Sequence, residues 1–221
     1  MVTLILTTMN EIEGLKWVWP RLPVHQFREI IIVDNNSTDG TLEFLKDRPC
    51  RIVKQTVPGR GNGIREAMQY VRDDSVMLMS SDGNDDPAYI PALIETFRTG
   101  YDLVFGTRFE PGGKTDDTDD PYGLRRLGNH VLTLLVNLFF GSHYSDSTFG
   151  FRIFKMEVWD RMQVKSEWNE TEYLMSIRAA KMRLKVAQIP IVEGTRAGGE
   201  VKAKTWSTGF NHVAVLMKEL W

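Results

Sequence analysis

Residues 77–87 read Met77-Leu-Met-Ser-Ser-Asp82-Gly-Asn84-Asp85-Asp86-Pro87. A short apolar run stops at a cluster of carboxylates. A buried strand that ends this way delivers negative charge to the C-terminal edge of a sheet, where ligands bind in open α/β folds. Hard oxygen ligands this closely spaced suit Mg²⁺ or Mn²⁺, and such a metal usually holds substrate phosphates. The same residues also spell a strand, a turn and a capped helix, with Asp86 as N-cap and Pro87 at the first helical position. Taken alone, the stretch leaves both readings open.

Working outward, strand and helix patterns alternate. Residues 2–8, 29–34, 51–54, 75–80 and 102–107 are short apolar or β-branched runs, with helical spacing between them at 11–19, 41–47, 64–72 and 88–99. This predicts βαβ units, an α/β fold with a mostly parallel central sheet flanked by helices. A polar, Gly/Pro-rich loop at 110–121 interrupts the alternation. It is either a lid over a site or a surface excursion. Beyond it the pattern predicts a helix at 124–140, a strand at 151–154, a helix at 170–181, a strand pair around 185–196 and a last helix from about 206 to 221. No repeat or second domain boundary is visible.

The 221 residues, 42% hydrophobic and 25% charged, suit one soluble globular domain. A formal net charge of −2 gives no sign of a nucleic-acid partner. Cys50 is the only cysteine, so an internal disulfide is excluded and a reducing, cytoplasmic compartment is expected. The first eight residues read as a strand rather than a leader. No apolar run reaches the ~18 residues of a membrane span. The nearest, 131–140, is broken by Thr133 and Asn137 and predicts either a core helix or one lying at an interface.

Further motifs carry candidate chemistry. In Ile30-Ile-Ile-Val-Asp34-Asn35-Asn36-Ser37-Thr38-Asp39-Gly40-Thr41, Asp34 stands at the sheet edge, able to accept from a ribose or a base. Ser37 or Asp39 can cap the next helix. Turn chemistry accounts for Asn36, Ser37 and Gly40, and less well for Asp34. Pro58-Gly59-Arg60-Gly61-Asn62-Gly63 opens a helix whose N-terminus favours an anion. Asp146 to Arg152 sets an acid and a cation about a glycine turn, and Arg196 to Lys202 is a glycine turn rimmed by cations. Arg125 and Arg126 open a helix, where cations need an anion nearby. Singly these are solvated charges; together they supply cations for a pyrophosphate and a second phosphate. The four histidines show no metal-ligand spacing, and no Gly-x-Ser-x-Gly elbow supports hydrolase chemistry.

In order along the chain, these motifs resemble those of the family 2 glycosyltransferases of GT-A fold, especially the dolichyl- and polyprenyl-phosphate sugar synthases of the dolichol-phosphate mannosyltransferase type. Thr7-Thr8-Met9-Asn10-Glu11 resembles their Pro-Thr-Tyr-Asn-Glu. Val33 to Thr41 resembles Val-Asp-Asp-x-Ser-x-Asp-Gly-Thr, and Gly59-Arg60-Gly61 resembles Gly-Lys-Gly. Gly106-Thr107-Arg108 resembles Gly-Ser-Arg, Asp146 to Phe154 resembles Asp-x-x-Ser-Gly-Phe-Arg-x-Phe, and Arg196 to Lys202 resembles Arg-x-x-Gly-x-Ser-Lys. The family's Asp-x-Asp stands here as Ser80-Ser81-Asp82, without its first Asp.

The resemblance implies a single Rossmann-like GT-A domain over 1–221, with a nucleotide-binding half (1–107) and an acceptor-side half (108–221). It implies a metal-dependent, inverting hexosyltransferase that moves a sugar from a GDP- or UDP-linked donor to a polyprenyl or dolichyl phosphate. Mg²⁺ or Mn²⁺ would sit on Asp82 and Asn84. Donor contacts would come from Thr8, Asn10, Glu11, Asp34, Asn36, Arg60, Asp82, Arg108 and Arg126. Arg196 and Lys202 would meet the acceptor phosphate. Asp82, Arg152, Asp146 and Glu172 would form the catalytic centre, with Asp146 or Glu172 as general base only if the acceptor is a hydroxyl. Two alternatives stand beside this reading: transfer to a saccharide or other soluble acceptor, and a non-catalytic nucleotide-sugar-binding protein. A lipid acceptor implies peripheral contact with the cytoplasmic face of a membrane.

Overall fold

The computed structural model describes residues 1–116, 120, 122–198 and 205–221. Its first half runs β1 (Val2–Thr8), α1 (Ile12–Val18), β2 (Phe27–Asp34), α2 (Thr41–Leu45), β3 (Arg51–Lys54), α3 (Arg60–Met68), β4 (Ser75–Ser80), α4 (Ile90–Arg98) and β5 (Leu103–Thr107). Then follow α5 (Leu124–Phe140), β6 (Arg152–Lys155), α6 (Met156–Met162), α7 (Thr171–Lys181), β7 (Val186–Pro190) and α8 (Thr205–Leu220). The strands form one seven-stranded sheet in the order β3-β2-β1-β4-β6-β5-β7. Only β6 runs against its neighbours. Strands from both halves of the chain share the sheet.

The central strands are apolar along their whole length because both faces are covered. On one face Leu4, Leu6, Ile32 and Met79 pack with Leu15 of α1 and Leu93 and Phe97 of α4. On the other, Ile5, Val33 and Leu78 meet Ile64 of α3, Trp159 of α6 and Met175 of α7. A third cluster joins Leu132 and Val136 of α5 to Tyr173 and Ile177 of α7 and Leu216 of α8.

One expectation is corrected. The strand pair around 185–196 is one strand, β7, which pairs parallel with β5. Pro190 at its end has no N–H to continue a ladder, and past it only a single bridge joins Val192 to Lys114. The loop expected at 110–121 is tied down where it begins. Lys114 N donates to Ile191 O (3.0 Å), and Asp116 N and Thr115 Oγ1 donate to Glu193 Oε2 (3.0 and 2.9 Å). Its residues 117–119 and 121 lie outside the described residues.

Candidate active site

Thr8 lies level with Asp34, and Thr7 with Ser80, so β1, β2 and β4 end at one edge. The turns beyond β1 and β2 are laced together. Asn10 Oδ1 accepts from Thr38 N (2.7 Å), Glu11 N donates to Thr41 Oγ1 (3.2 Å), and Ile12 N donates to Asp39 Oδ2 (3.1 Å). Asn10 and Asn36 take positive φ (53° and 55°), which Asn tolerates better than most residues; both shape the turns. Asp34 is fully buried, and its Oδ2 accepts from Ser37 N at 3.1 Å. Its Oδ1 and Thr8 Oγ1 are buried without a partner. An unsatisfied buried carboxylate oxygen is costly, and a ribose hydroxyl or base N–H would relieve that cost.

At the end of β4, two glycines permit close approaches. A Cβ on Gly14 would lie 2.3 Å from Ser81 O, so only glycine lets α1 rest on this turn. Gly83 has φ +92°, and a Cβ there would lie 2.9 Å from Ala197 Cβ. The segment 194–198 crosses at this point, with Gly194 N on Asn84 O (2.8 Å) and Ala197 N on Asp82 O (3.0 Å). Arg196 then bridges two acids: Nη1 donates to Asp82 Oδ2 at 2.8 Å and Nη2 donates to Glu11 Oε1. Arg196, expected at an acceptor phosphate, thus stands between Asp82 and Glu11. Lys202 lies outside the described residues.

The donor set beside Arg196 suits a hard cation. Asp82 offers a carboxylate, and Asn84 Oδ1 is buried with no hydrogen-bond partner. Asp85 is buried, with Oδ2 accepting from Ser80 N at 2.7 Å. Burial, and then the Asp82 charge, push its pKa up to about 7; the turn favours added positive charge. No group of three or more His, Cys, Asp or Glu side chains poised for a metal occurs among the described residues. Asp82 and Asn84 alone suit Mg²⁺ or Mn²⁺, ions bound by one or two protein oxygens together with substrate phosphates. Ser80 sits at this turn, its Oγ accepting from Asp82 N at 3.4 Å. Ser80→Asp is expected to tighten Mn²⁺ binding about tenfold by adding a hard ligand, and to lower the metal-free melting temperature by adding charge beside Asp85. Calorimetry with Mn²⁺ checks it; unchanged or weaker affinity would remove Ser80 from the metal's surroundings.

Four of the remaining predicted residues form two ion pairs, Arg108 with Asp146 and Arg60 with Glu172. Arg108, just past β5, donates to Asp146 through Nε (2.7 Å) and Nη2 (3.2 Å), to Thr148 Oγ1 (3.1 Å) and to Glu193 (3.5 Å). Burial opposes its charge, but Asp146 and Glu193 hold its pKa well above the ordinary arginine value. At the opening of α3, Arg60 donates through Nη1 to Glu172 Oε1 and through Nε to Thr7 Oγ1 (3.3 Å). Arg152 is fully buried beneath this group. It donates to Glu172 O (2.9 Å) and Phe149 O, and burial pulls its pKa down to about 10. Its side chain has no exposed surface. Arg126 is exposed at the first turn of α5, where its N–H donates to Asp120 Oδ2 (3.0 Å). Asp120 is the anion that this helix N-terminus required.

Glu193 escaped the sequence reading, and Asp85 was read there only as one of a carboxylate cluster. Glu193 gathers Arg108 and the start of the 110–116 loop, and Asp85 underlies the β4 turn. Glu193, directly after Ile191-Val192, carries the signal that found Asp34, an acid at the end of an apolar run.

The profile of Glycosyl transferase family 2 matches residues 3–163. The chain is 27% identical to glycosyltransferase AglJ of Haloferax volcanii over 202 residues, covering 90% of this chain and 64% of that protein. It is 26% identical to the dolichol-phosphate mannosyltransferase of Pyrococcus furiosus, covering 98% of this chain and 64% of that one. The chain thus spans under two thirds of either relative's length. The crystal structure of glucosyl-3-phosphoglycerate synthase from Mycobacterium tuberculosis with Mn²⁺, uridine diphosphate and phosphoglyceric acid superposes with a TM-score of 0.74 at 19% identity, covering 100% of this chain and 78% of that one. That neighbour shares the GT-A architecture.

Proposed function

Because the chain belongs to glycosyl transferase family 2, we propose that it transfers a hexose from a nucleoside-diphosphate sugar to the phosphate of a polyprenyl or dolichyl phosphate, with inversion at the anomeric carbon. One observation carries the acceptor assignment. Both carboxylates that the sequence offers as a general base are committed to arginines, Asp146 to Arg108 and Glu172 to Arg60. A hydroxyl acceptor needs a base. A phosphate arrives already ionised and needs only orientation.

The donor's nucleoside would lie along the edge formed by Thr8 and Asp34, whose unpartnered oxygens favour a hydroxyl or N–H donor. Its diphosphate would meet Arg60 and Arg196. A divalent ion on Asp82 and Asn84 would supply positive charge to the leaving nucleoside diphosphate. The test is transfer of radiolabelled hexose from GDP- and UDP-linked donors into organic-extractable product in the presence of polyprenyl phosphate and Mn²⁺. Label in the organic phase supports the reading. Label in a soluble saccharide alone replaces it with the soluble-acceptor alternative, and nucleotide binding without any transfer replaces it with the binding-protein alternative.

A lipid acceptor also calls for contact with a membrane surface. No helix among the described residues is long and apolar enough to cross one. Helix α5 instead has two faces. Leu132 and Val136 are buried, while Leu127, Val131, Leu134 and Leu138 stand exposed in a single stripe, Leu138 at 70%. The neighbouring α8 exposes Phe210, Val213 and Met217, Phe210 at 73%. Such faces bind at the headgroup boundary in proportion to apolar area. Leu134→Glu with Leu138→Glu is expected to lower binding to anionic vesicles about tenfold or more, yet shift stability by under ~1 kcal/mol, since exposed sites tolerate substitution. Flotation and thermal melting check it; undiminished flotation would remove these helices from any membrane contact.

A further inference from the structure

We infer that Glu172 is a positioning residue for the donor diphosphate, acting through Arg60. The inference rests on the donor pocket proposed above. Arg60 is the first residue of α3, where the helix dipole repels a cation. Glu172 lies in the first turn of α7, where the dipole favours an anion. The acid is thus the fixed partner and the arginine the guided one.

Burial agrees with that division. Only 3% of the Glu172 side chain is exposed, against 25% for Arg60. Beneath Glu172 lies Arg152, which donates to its backbone oxygen at 2.9 Å. Ser176 Oγ donates to the same oxygen at 2.9 Å. Gly150 flanks the pair: a Cβ there would lie 3.6 Å from Arg60 Nη2 and 3.7 Å from Glu172 Oε1. The carboxylate is therefore enclosed from α3, α7 and the turn before β6.

Arg60 reaches from this enclosure toward the strand edge, where Nε donates to Thr7 Oγ1 (3.3 Å). Burial opposes its charge, but Glu172, Asp85 and Asp82 outweigh it and hold its pKa above the ordinary value. The guanidinium is thus a fixed cation between a buried acid and the acidic turn expected to receive the diphosphate. A planar fork held at one end presents its remaining N–H groups in a set direction, which favours phosphate oxygens. In this arrangement Glu172 takes no proton from the acceptor.

The experiment is a double-mutant cycle on nucleoside diphosphate binding. GDP and UDP are titrated calorimetrically with Mn²⁺ into the full chain, its Glu172→Gln and Arg60→Ala variants, and the double variant. Glutamine keeps the shape and an oxygen acceptor but removes the charge, and thermal melting verifies that each variant folds. Glu172→Gln is expected to weaken binding of the diphosphate about tenfold, with no further loss when added to Arg60→Ala. In transfer assays it raises the donor KM more than it lowers kcat. Unchanged affinity in Glu172→Gln, with kcat lowered about 100-fold or more, would make Glu172 a base and overturn the inference. Fully additive losses would overturn it too, by uncoupling Glu172 from Arg60. If wild type binds neither diphosphate, the donor pocket itself fails, and this inference fails with it.

Discussion

Asp82→Ala is expected to abolish metal-dependent binding of the nucleoside diphosphate, weakening it by about 100-fold or more in the presence of Mn²⁺. Asp82 supplies the one carboxylate of the proposed metal pair, and Asn84 Oδ1 alone is a neutral ligand. Losing a charged partner in a site costs a few kcal/mol. The structure adds a second consequence. Asp82 Oδ2 also receives Arg196 Nη1 at 2.8 Å, so in the variant Arg196 keeps only Glu11 of its two acids. Metal-free nucleotide binding should then stay within about threefold of wild type, because Arg196 remains available to phosphate. Calorimetry with and without Mn²⁺ checks both parts. Equal affinity of variant and wild type with metal would remove Asp82 from the metal site.

Asp146→Ala is the change with the largest expected effect on stability. Arg108 and Asp146 are both buried, with side-chain exposures of 7% and 0%. Removing one member of a buried pair strands the other charge, at a cost of about 3–5 kcal/mol. Glu193 at 3.5 Å compensates only in part. For a chain of this size, 1 kcal/mol shifts the melting temperature by about 2–4 °C, so a fall of roughly 10 °C is expected. Asp146→Ala with Arg108→Met, which removes both charges, should melt well above the single variant. A single variant that melts within ~2 °C of wild type would mean that the pair carries little of the fold.

The local grammar of the chain was legible, and its long-range electrostatics were not. The run into Asp82 ends β4 at Ser80, and Asp86 caps the following turn, accepting from Ala88 N at 2.9 Å. The site stretch is therefore both a capped turn and an acidic strand end. Asp39 bonds Thr41 N (3.0 Å) as a cap would, although Gly40 in the left-handed region holds the formal N-cap position of α2. Strand and helix are legible because periodicity and turn chemistry act over a few residues. The short helix α6 went unread because it follows β6 without a break and Lys155 offers no side-chain cap.

The partners of the site's charges lie far apart in sequence. Arg60 meets Glu172 across 112 positions, Arg108 meets Asp146 across 38, and Arg196 meets Asp82 across 114. No spacing rule reaches that far. Each residue was legible as a candidate, while its partner, and so its role, was not. Glu172 shows the consequence. The motif allows a base; the fold pairs its carboxylate with Arg60 and its backbone oxygen with Arg152.

The central claim is that the acceptor arrives as a phosphate anion. It is tested most directly by offering wild type two acceptors of equal chain length, a polyprenyl monophosphate and the matching polyprenol, with the same labelled donor and Mn²⁺. The account predicts transfer to the phosphate at least about 100-fold faster than to the alcohol, since an unactivated hydroxyl lacks the contribution of a general base. Equal rates, or transfer to the alcohol alone, would contradict it.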